Sequence, residues 1–224
     1  MQTAVPSVPE RLKSRKTPVQ ARSEATVEAI HEAAIQVLLT DGLVRLSTTR
    51  VAERAGVSVG TLYQYFPNKD ALLFAILSRH FEEMARTIES VYVDRGRRPL
   101  SVLAVSIADA YVSVKVARPD ATVALYRVAG AIDQFRLSTD IFKRMEGGVV
   151  QVLRSASDAT FADPEKVAFT LLSALAGLCR ASFGGLVSGP SVLVRLRDEA
   201  RLLSTAYLEA TADVGSPARK GTTP

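Results

Sequence analysis

Apolar residues recur along this chain at helical spacing almost throughout. From about Ala21 to Thr40, Val27, Ile30, Ala34, Val37 and Leu38 fall three or four apart, while Glu24, Glu28 and Glu32 take another face, which predicts an amphipathic helix. Asp41-Gly42 ends it, glycine supplying the left-handed backbone common at helix ends. Two short helices are predicted next. Ser47 caps one that runs to about Ala55 and stops at Gly56; Ser58 caps another that reaches about Phe66, where Pro67 cannot continue a helix. Asn68 then caps a long helix from Lys69 to about Val93. Beyond a break at Arg95 to Pro99, helices are predicted at about 100–117, 120–130, 138–157, 164–184 and 190–212, with Gly147-Gly148 set to kink or split the third. The pattern contains neither a strand-rich region nor an internal repeat, so the fold class is all-α.

The two short helices meet across a turn that Gly56 makes possible. Val51, Ala52 and Ala55 are expected to face inward from the first, and Leu62 and Phe66 from the second; the small alanines let the helices cross closely. Left outward on the second helix are Val59, Gly60, Thr61, Tyr63, Gln64 and Tyr65, a small, uncharged, hydrogen-bonding set suited to the floor of a major groove.

Charge sharpens the picture. The net charge is +5, and Arg11, Lys13, Arg15, Lys16 and Arg22 cluster in a segment opposed only by Glu10, a distribution that fits a nucleic-acid partner. Residues 1–18 carry prolines, serines and charges without apolar periodicity and read as a flexible basic arm; residues 215–224 read as a disordered tail. A lone cysteine, Cys179, excludes an intrachain disulfide, and with His31 and His80 it offers no zinc-site spacing, so neither metal nor cofactor is expected. No uninterrupted apolar stretch of membrane-spanning length stands out, and the N-terminus has no signal-peptide pattern, which predicts a soluble cytoplasmic protein without a membrane partner. An enzyme is disfavoured: Glu82-Glu83 point in different directions, Asp109 is isolated, and no phosphate-cradling glycine loop is present.

The run AGVSVGTLYQYFPNKDAL, at the end of a three-helix unit near the N-terminus, resembles the DNA-binding domain of the TetR family of helix-turn-helix transcriptional regulators. The resemblance by motif covers about residues 21–75. It implies a helix-turn-helix domain over residues 19–68, followed by a larger helical effector-binding and dimerisation domain over 69–214 whose first helix, 69–93, connects the two. It further implies that Thr48 and Thr49 touch phosphate at the start of the supporting helix, and that Val59, Gly60, Thr61 and Gln64 read bases. Tyr63, Tyr65 and Lys69 would clamp the backbone, Ser58 would lie at the DNA face as a helix cap, and Arg15, Lys16 or Arg22 of the arm would reach the minor groove. Function follows as expectation: a repressor that binds a palindromic double-stranded operator as a homodimer and is released by a small-molecule effector, with the helix from Lys69 as lever.

The resemblance implies a dimer built from the last two long helices, unless their apolar faces serve the subunit's own core. Ala168, Ser173, Ala174, Gly177 and Ala181 would allow close approach on one, and Leu193, Leu196, Ala200, Leu203 and Tyr207 would form an apolar stripe on the other. Tyr111, Tyr126, Arg127, Gln134, Phe135, Phe142, Cys179, Arg180 and Phe183 are the candidate effector-binding residues, aromatic walls with a few polar groups being typical of pockets.

Overall fold

A computed structural model describes residues 10–14, 21–93, 97–129, 134–183 and 190–213. Among the described residues, a short 3-10 turn, Glu10–Leu12, precedes ten α-helices: α1 (Ala21–Thr40), α2 (Gly42–Arg45), α3 (Thr48–Ala55), α4 (Val59–Tyr65), α5 (Lys69–Val93), α6 (Leu100–Ala117), α7 (Pro119–Ala129), α8 (Gln134–Arg154), α9 (Pro164–Phe183) and α10 (Pro190–Thr211). Among the described residues, strand-like pairing is limited to two isolated bridges, Arg98 with Ala156 and Thr160 with Asp213.

Local chemistry accounts for the boundaries. Gly42 and Gly56 hold φ of +77° and +67°, the left-handed region that glycine enters at little cost, at the two places where the chain turns between helices. Two features depart from the sequence reading. The single turn α2 has no counterpart in it; this turn buries no side chain, so no apolar period announces it. Helix α8 runs on through Gly147-Gly148, so the two glycines do not split it. At Gly148 a Cβ would lie 3.2 Å from Ile88 Cγ2, so the missing side chain serves the close approach of α8 to α5.

The chain forms two compact units, residues 1–83 with 117–141 and residues 84–116 with 142–224. In the first, Ile30, Ala34 and Leu38 of α1, Val51 and Ala52 of α3, Leu62 of α4 and Leu72 of α5 are fully buried. Helix α1 packs on α3 and also on α7. Arg118 ties that second contact: its guanidinium grips both Glu32 carboxylate oxygens, at 3.1 and 3.2 Å, and bonds Asp120 at 3.0 Å. All three side chains are about half exposed, so the cluster orients more than it stabilises, contributing about 1 kcal/mol or less.

In the second unit α6 is buried on almost every side, from Leu100 through Ile107 and Val112 to Lys115. With mean hydropathies of 1.6 and 1.3, α6 and α9 are long and apolar enough to cross a bilayer by length and composition, although neither is uninterruptedly apolar, Asp109 and Lys115 lying within α6 and Lys166 and Arg180 within α9. Much of that apolar surface is used in packing: Val167, Leu171, Leu172 and Leu175 of α9 are buried as well. Polar ties fix the edges, with Asp158 accepting from the Leu100 amide at 2.8 Å, Arg201 of α10 paired with Asp109 of α6 at 2.8 and 2.9 Å, and Arg144 of α8 paired with Glu89 of α5 at 3.0 and 2.9 Å.

Candidate nucleic-acid interface

Helices α3 and α4 form the helix-turn-helix, and the start of each is closed by a specific bond. Ser47 accepts from the Arg50 amide at 3.3 Å and Ser58 from the Thr61 amide at 3.0 Å, so both serines cap as expected. Gly56 and Val57 donate their amides back to the last turn of α3, satisfying carbonyls that a helix end leaves open. The Thr48 and Tyr63 hydroxyls lie 3.0 Å apart, which couples the first residue of α3 to the middle of α4. Ala55 is only half-buried; Val51, Ala52, Leu62 and Phe66 face inward.

The outward face of α4 carries Gly60, Tyr63 and Gln64 exposed, with Val59 and Thr61 half-buried beside them; Thr49 and Ser58 are exposed, and Thr48 and Lys69 half-buried. Tyr65 is a correction. Expected on the surface as a backbone clamp, it is 7% exposed and packs 6.4 Å from the Phe66 ring. Positions 65 and 66 lie three and four residues after Leu62, so both fall on its buried stripe. Arg15 and Lys16 lie outside the described residues, as does the side chain of Arg22.

Residues 10–14 are not free, contrary to the expected flexible arm. Leu12 is 4% exposed, and the Arg11 carbonyl accepts from Asn68 Nδ2 at 3.0 Å. Asn68 also caps α5 through its Oδ1, which accepts from the Ala71 amide at 2.8 Å.

Behind α4, His31 of α1 is buried and its ring lies 5.5 Å from Phe66. Arg79 Nη1 is 3.5 Å from His31 Nδ1 and also bonds Glu28. A guanidinium only donates, so Nδ1 is the acceptor and the imidazole proton sits on Nε2, a buried atom without a hydrogen-bond partner. Burial first, then the Arg79 charge, pushes the His31 pKa down to about 4, against a smaller upward pull from Glu28. On the flank of α3, Arg50 holds Asp41 at 2.6 Å and keeps its carboxyl below the usual range.

The candidate effector residues scatter. Tyr111 of α6 and Cys179 and Phe183 of α9 are buried in the second unit, Phe142 packs edge-on to Phe169 at 5.9 Å, and Arg180 is exposed. Tyr126 belongs to the first unit and is half-buried; the side chains of Arg127, Gln134 and Phe135 lie outside the described residues. Sequence reasoning missed Lys115. It is 3% exposed, with Nζ 5.5 Å from the Tyr111 ring centroid. Burial lowers its pKa; nearby Cys179 opposes that shift and Arg180 adds to it. The signal was a single cation inside the apolar run AYVSVKVA. Burial raises the Cys179 thiol to about 11, so it is protonated at neutral pH and a poor nucleophile.

Comparison with known proteins agrees with this architecture. The family model for bacterial regulatory proteins of the tetR family matches residues 30–76, and that for a tetracyclin repressor-like C-terminal domain matches residues 99–208. An uncharacterized HTH-type transcriptional regulator of Mycobacterium tuberculosis, Rv2912c, is 30% identical over 87 residues, 37% of this chain; that match spans only 45% of the relative's length. The HTH-type transcriptional repressor KstR of Mycolicibacterium smegmatis is 44% identical over 55 residues, 25% of this chain and 27% of its own. SmeT, the repressor of the Stenotrophomonas maltophilia multidrug efflux pump SmeDEF, superposes with a TM-score of 0.67 at 18% identity, over 90% of this chain and 98% of SmeT; SmeT is also known in complex with triclosan. With a helix-turn-helix and a helical C-terminal domain each matched by its own family model, the chain belongs to the TetR family of DNA-binding transcriptional regulators, a non-enzymatic class.

Proposed function

We propose that the protein is a homodimeric repressor that holds a palindromic operator and lets go when a small molecule occupies its C-terminal domain. The observation that carries the dimer is the apolar surface left on the last two helices. Phe169 of α9 is 54% exposed, and Val194 and Leu202 of α10 are 67% and 64% exposed, large side chains of the kind that an interface covers. Ser173 and Gly177, one and two turns beyond Phe169, are exposed as well, which would let a second copy approach closely. Leu196 and Ala200, expected in the dimer stripe, are buried within the subunit, as is Ala168; the interface falls instead to the neighbouring positions.

Repression and ligand release are drawn from the kinship with KstR and SmeT, which their names describe as repressors, and from the SmeT complex with triclosan. Around Tyr111, Lys115 and Cys179 the C-terminal domain has an aromatic ring, a cation and a polarisable thiol at the α6–α9 contact, groups able to orient a mostly apolar ligand. Such a regulator works on DNA in the cytoplasm. Operator and effector would each favour one arrangement of the dimer, so each must weaken the other by the same factor. Sedimentation of the purified protein, followed by selection of genomic fragments and footprinting, tests the dimer. The expected result is a particle of twice 24.1 kDa protecting two half-sites about one or two helical turns apart; a monomer protecting a single half-site would overturn it. For ligand release, equal effector affinity with and without operator is the disproving outcome.

Residue roles at the DNA face give a sharper check. Gln64→Ala is expected to relax base preference at one operator position, with a loss of about 1–3 kcal/mol on the best site. Lys69→Ala should weaken all duplexes alike and reduce the salt slope by about one for each phosphate that the lysine neutralises. Binding titrations across salt, on the selected site and on a scrambled one, read both; the reverse pattern would exchange the two roles.

A further inference from the structure

We propose that Asn68 is a positioning residue that clips the N-terminal arm onto the DNA-binding unit, so that Arg11 and Lys13 add sequence-independent phosphate contacts beside the helix-turn-helix. The proposal rests on the DNA binding of the family and on a bond that spans 57 residues of sequence. Both halves of the Asn68 amide are committed: Oδ1 accepts from the Ala71 amide at 2.8 Å, and Nδ2 donates to the Arg11 carbonyl at 3.0 Å. A backbone N–H can only donate and a carbonyl can only accept, so this amide has one consistent orientation. The adjacent Leu12 is 4% exposed and supplies the apolar anchor. Lys13 closes the turn, its amide donating to the Glu10 carbonyl at 3.1 Å. The arm is therefore held at two successive residues, by a hydrogen bond and by burial.

The clip leaves three cations close to the start of α5: Arg11 at the bonded carbonyl, Lys13 two residues on, and Lys69 next in sequence to Asn68. Arg11 and Lys13 are exposed. Lys13 pairs with Glu10 at 2.7 Å, but the two side chains are 51% and 88% exposed, and an ion pair so wet yields readily to a phosphate. Duplex DNA is the partner that fits, because its backbone offers a row of anions and the sequence places further basic residues immediately after this turn. A docked arm also spares part of the ordering cost that a free one meets on binding.

The test needs no operator. A random-sequence duplex of about 30 bp is titrated with the full chain between about 50 and 200 mM salt, and the slope of log affinity against log salt is read. Arg11→Ala with Lys13→Ala is expected to lower that slope by about one for each phosphate no longer neutralised, and affinity by about tenfold. Asn68→Ser keeps a cap for α5 through its hydroxyl, but a single short hydroxyl cannot also reach the Arg11 carbonyl. Without DNA, trypsin should cut after Arg11 and Lys13 several-fold faster in Asn68→Ser. The same change should lower the slope in the full chain and have no further effect where Arg11 and Lys13 are already alanine. An unchanged slope in the arm variant would overturn the phosphate contacts, and unchanged trypsin rates would overturn the clip. Equal losses from Asn68→Ser in both backgrounds would make Asn68 a feature of α5 alone. Failure of the unaltered chain to bind any duplex at low salt would instead strike the DNA-binding reading, leaving the trypsin result to judge the clip.

Discussion

Lowering the pH from 7 to 5 is expected to cost the protein about 2 kcal/mol of stability, rising to about 3 kcal/mol below pH 4, through His31 alone. Its pKa falls from 6.5 to about 4 on folding. Between those values the unfolded chain takes up a proton that the folded chain refuses, so stability rises with pH across the window and is lost as pH falls through it. At about 1.4 kcal/mol per pKa unit the full shift is worth roughly 3 kcal/mol. The window is separable from ordinary acid unfolding. Glu32, Asp41 and Asp120 are held below their usual carboxylate values of 4.5, 3.8 and 3.8 by hydrogen bonds from arginines, so their contributions are lost only below about pH 5. Urea unfolding at pH 7, 6 and 5 should show the decline in the natural chain and a flattened profile in His31→Leu. A decline of equal size in that variant would assign the proton elsewhere. Because the folded imidazole stays neutral until the pH nears 4, its contact with Phe66 at the end of α4 should hold over the same interval, and duplex binding by the folded protein should change through His31 only near pH 4.

The helices around the turn were legible because separate signals coincide there: an apolar period, a Ser or Asn capping each of α3, α4 and α5, and glycines with positive φ at 42 and 56 where the chain turns. Ser47, Ser58 and Asn68 accept the backbone amides that their types predict. What stayed hidden has no period. Helix α2 buries nothing, and Leu12 sits beside a residue bonded to a partner 57 positions away, so no local window contains either. Tyr65 failed for a different reason. Two adjacent aromatics follow Leu62 at three and four residues, and both belong to its face; giving one to solvent ignored that an apolar helix stripe is wider than a single row. On α10, a stripe chosen by periodicity went to the subunit's own core at Leu196 and Ala200 and left Val194 and Leu202 exposed. Periodicity marks a face but not what covers it. Lys115 shows the limit for the C-terminal domain: its burial follows from helices remote in sequence, and only its isolation among apolar neighbours hinted at it.

The paired glycines of α8 should respond differently to an added side chain. Gly147 is exposed, and a Cβ there would meet nothing within 4 Å. Gly147→Ala should therefore stabilise by about 0.5–1 kcal/mol, the helix-interior difference between the two residues. At Gly148 the added Cβ lies 3.2 Å from Ile88 Cγ2 and 3.7 Å from Glu89 Cγ. Ile88 is fully buried, and Arg144 anchors Glu89 through two bonds, so neither neighbour is free to swing aside. Alanine at 148 sets its propensity gain against this contact, and the two nearly offset. Valine adds two methyl groups and a stiff χ1, and Gly148→Val should destabilise by about 2–3 kcal/mol as α8 is pushed from α5. Denaturant midpoints measured with both variants would decide the matter. A stabilised Gly148→Val would mean that Ile88 can repack, and that α8 keeps its second glycine for some reason other than the approach to α5.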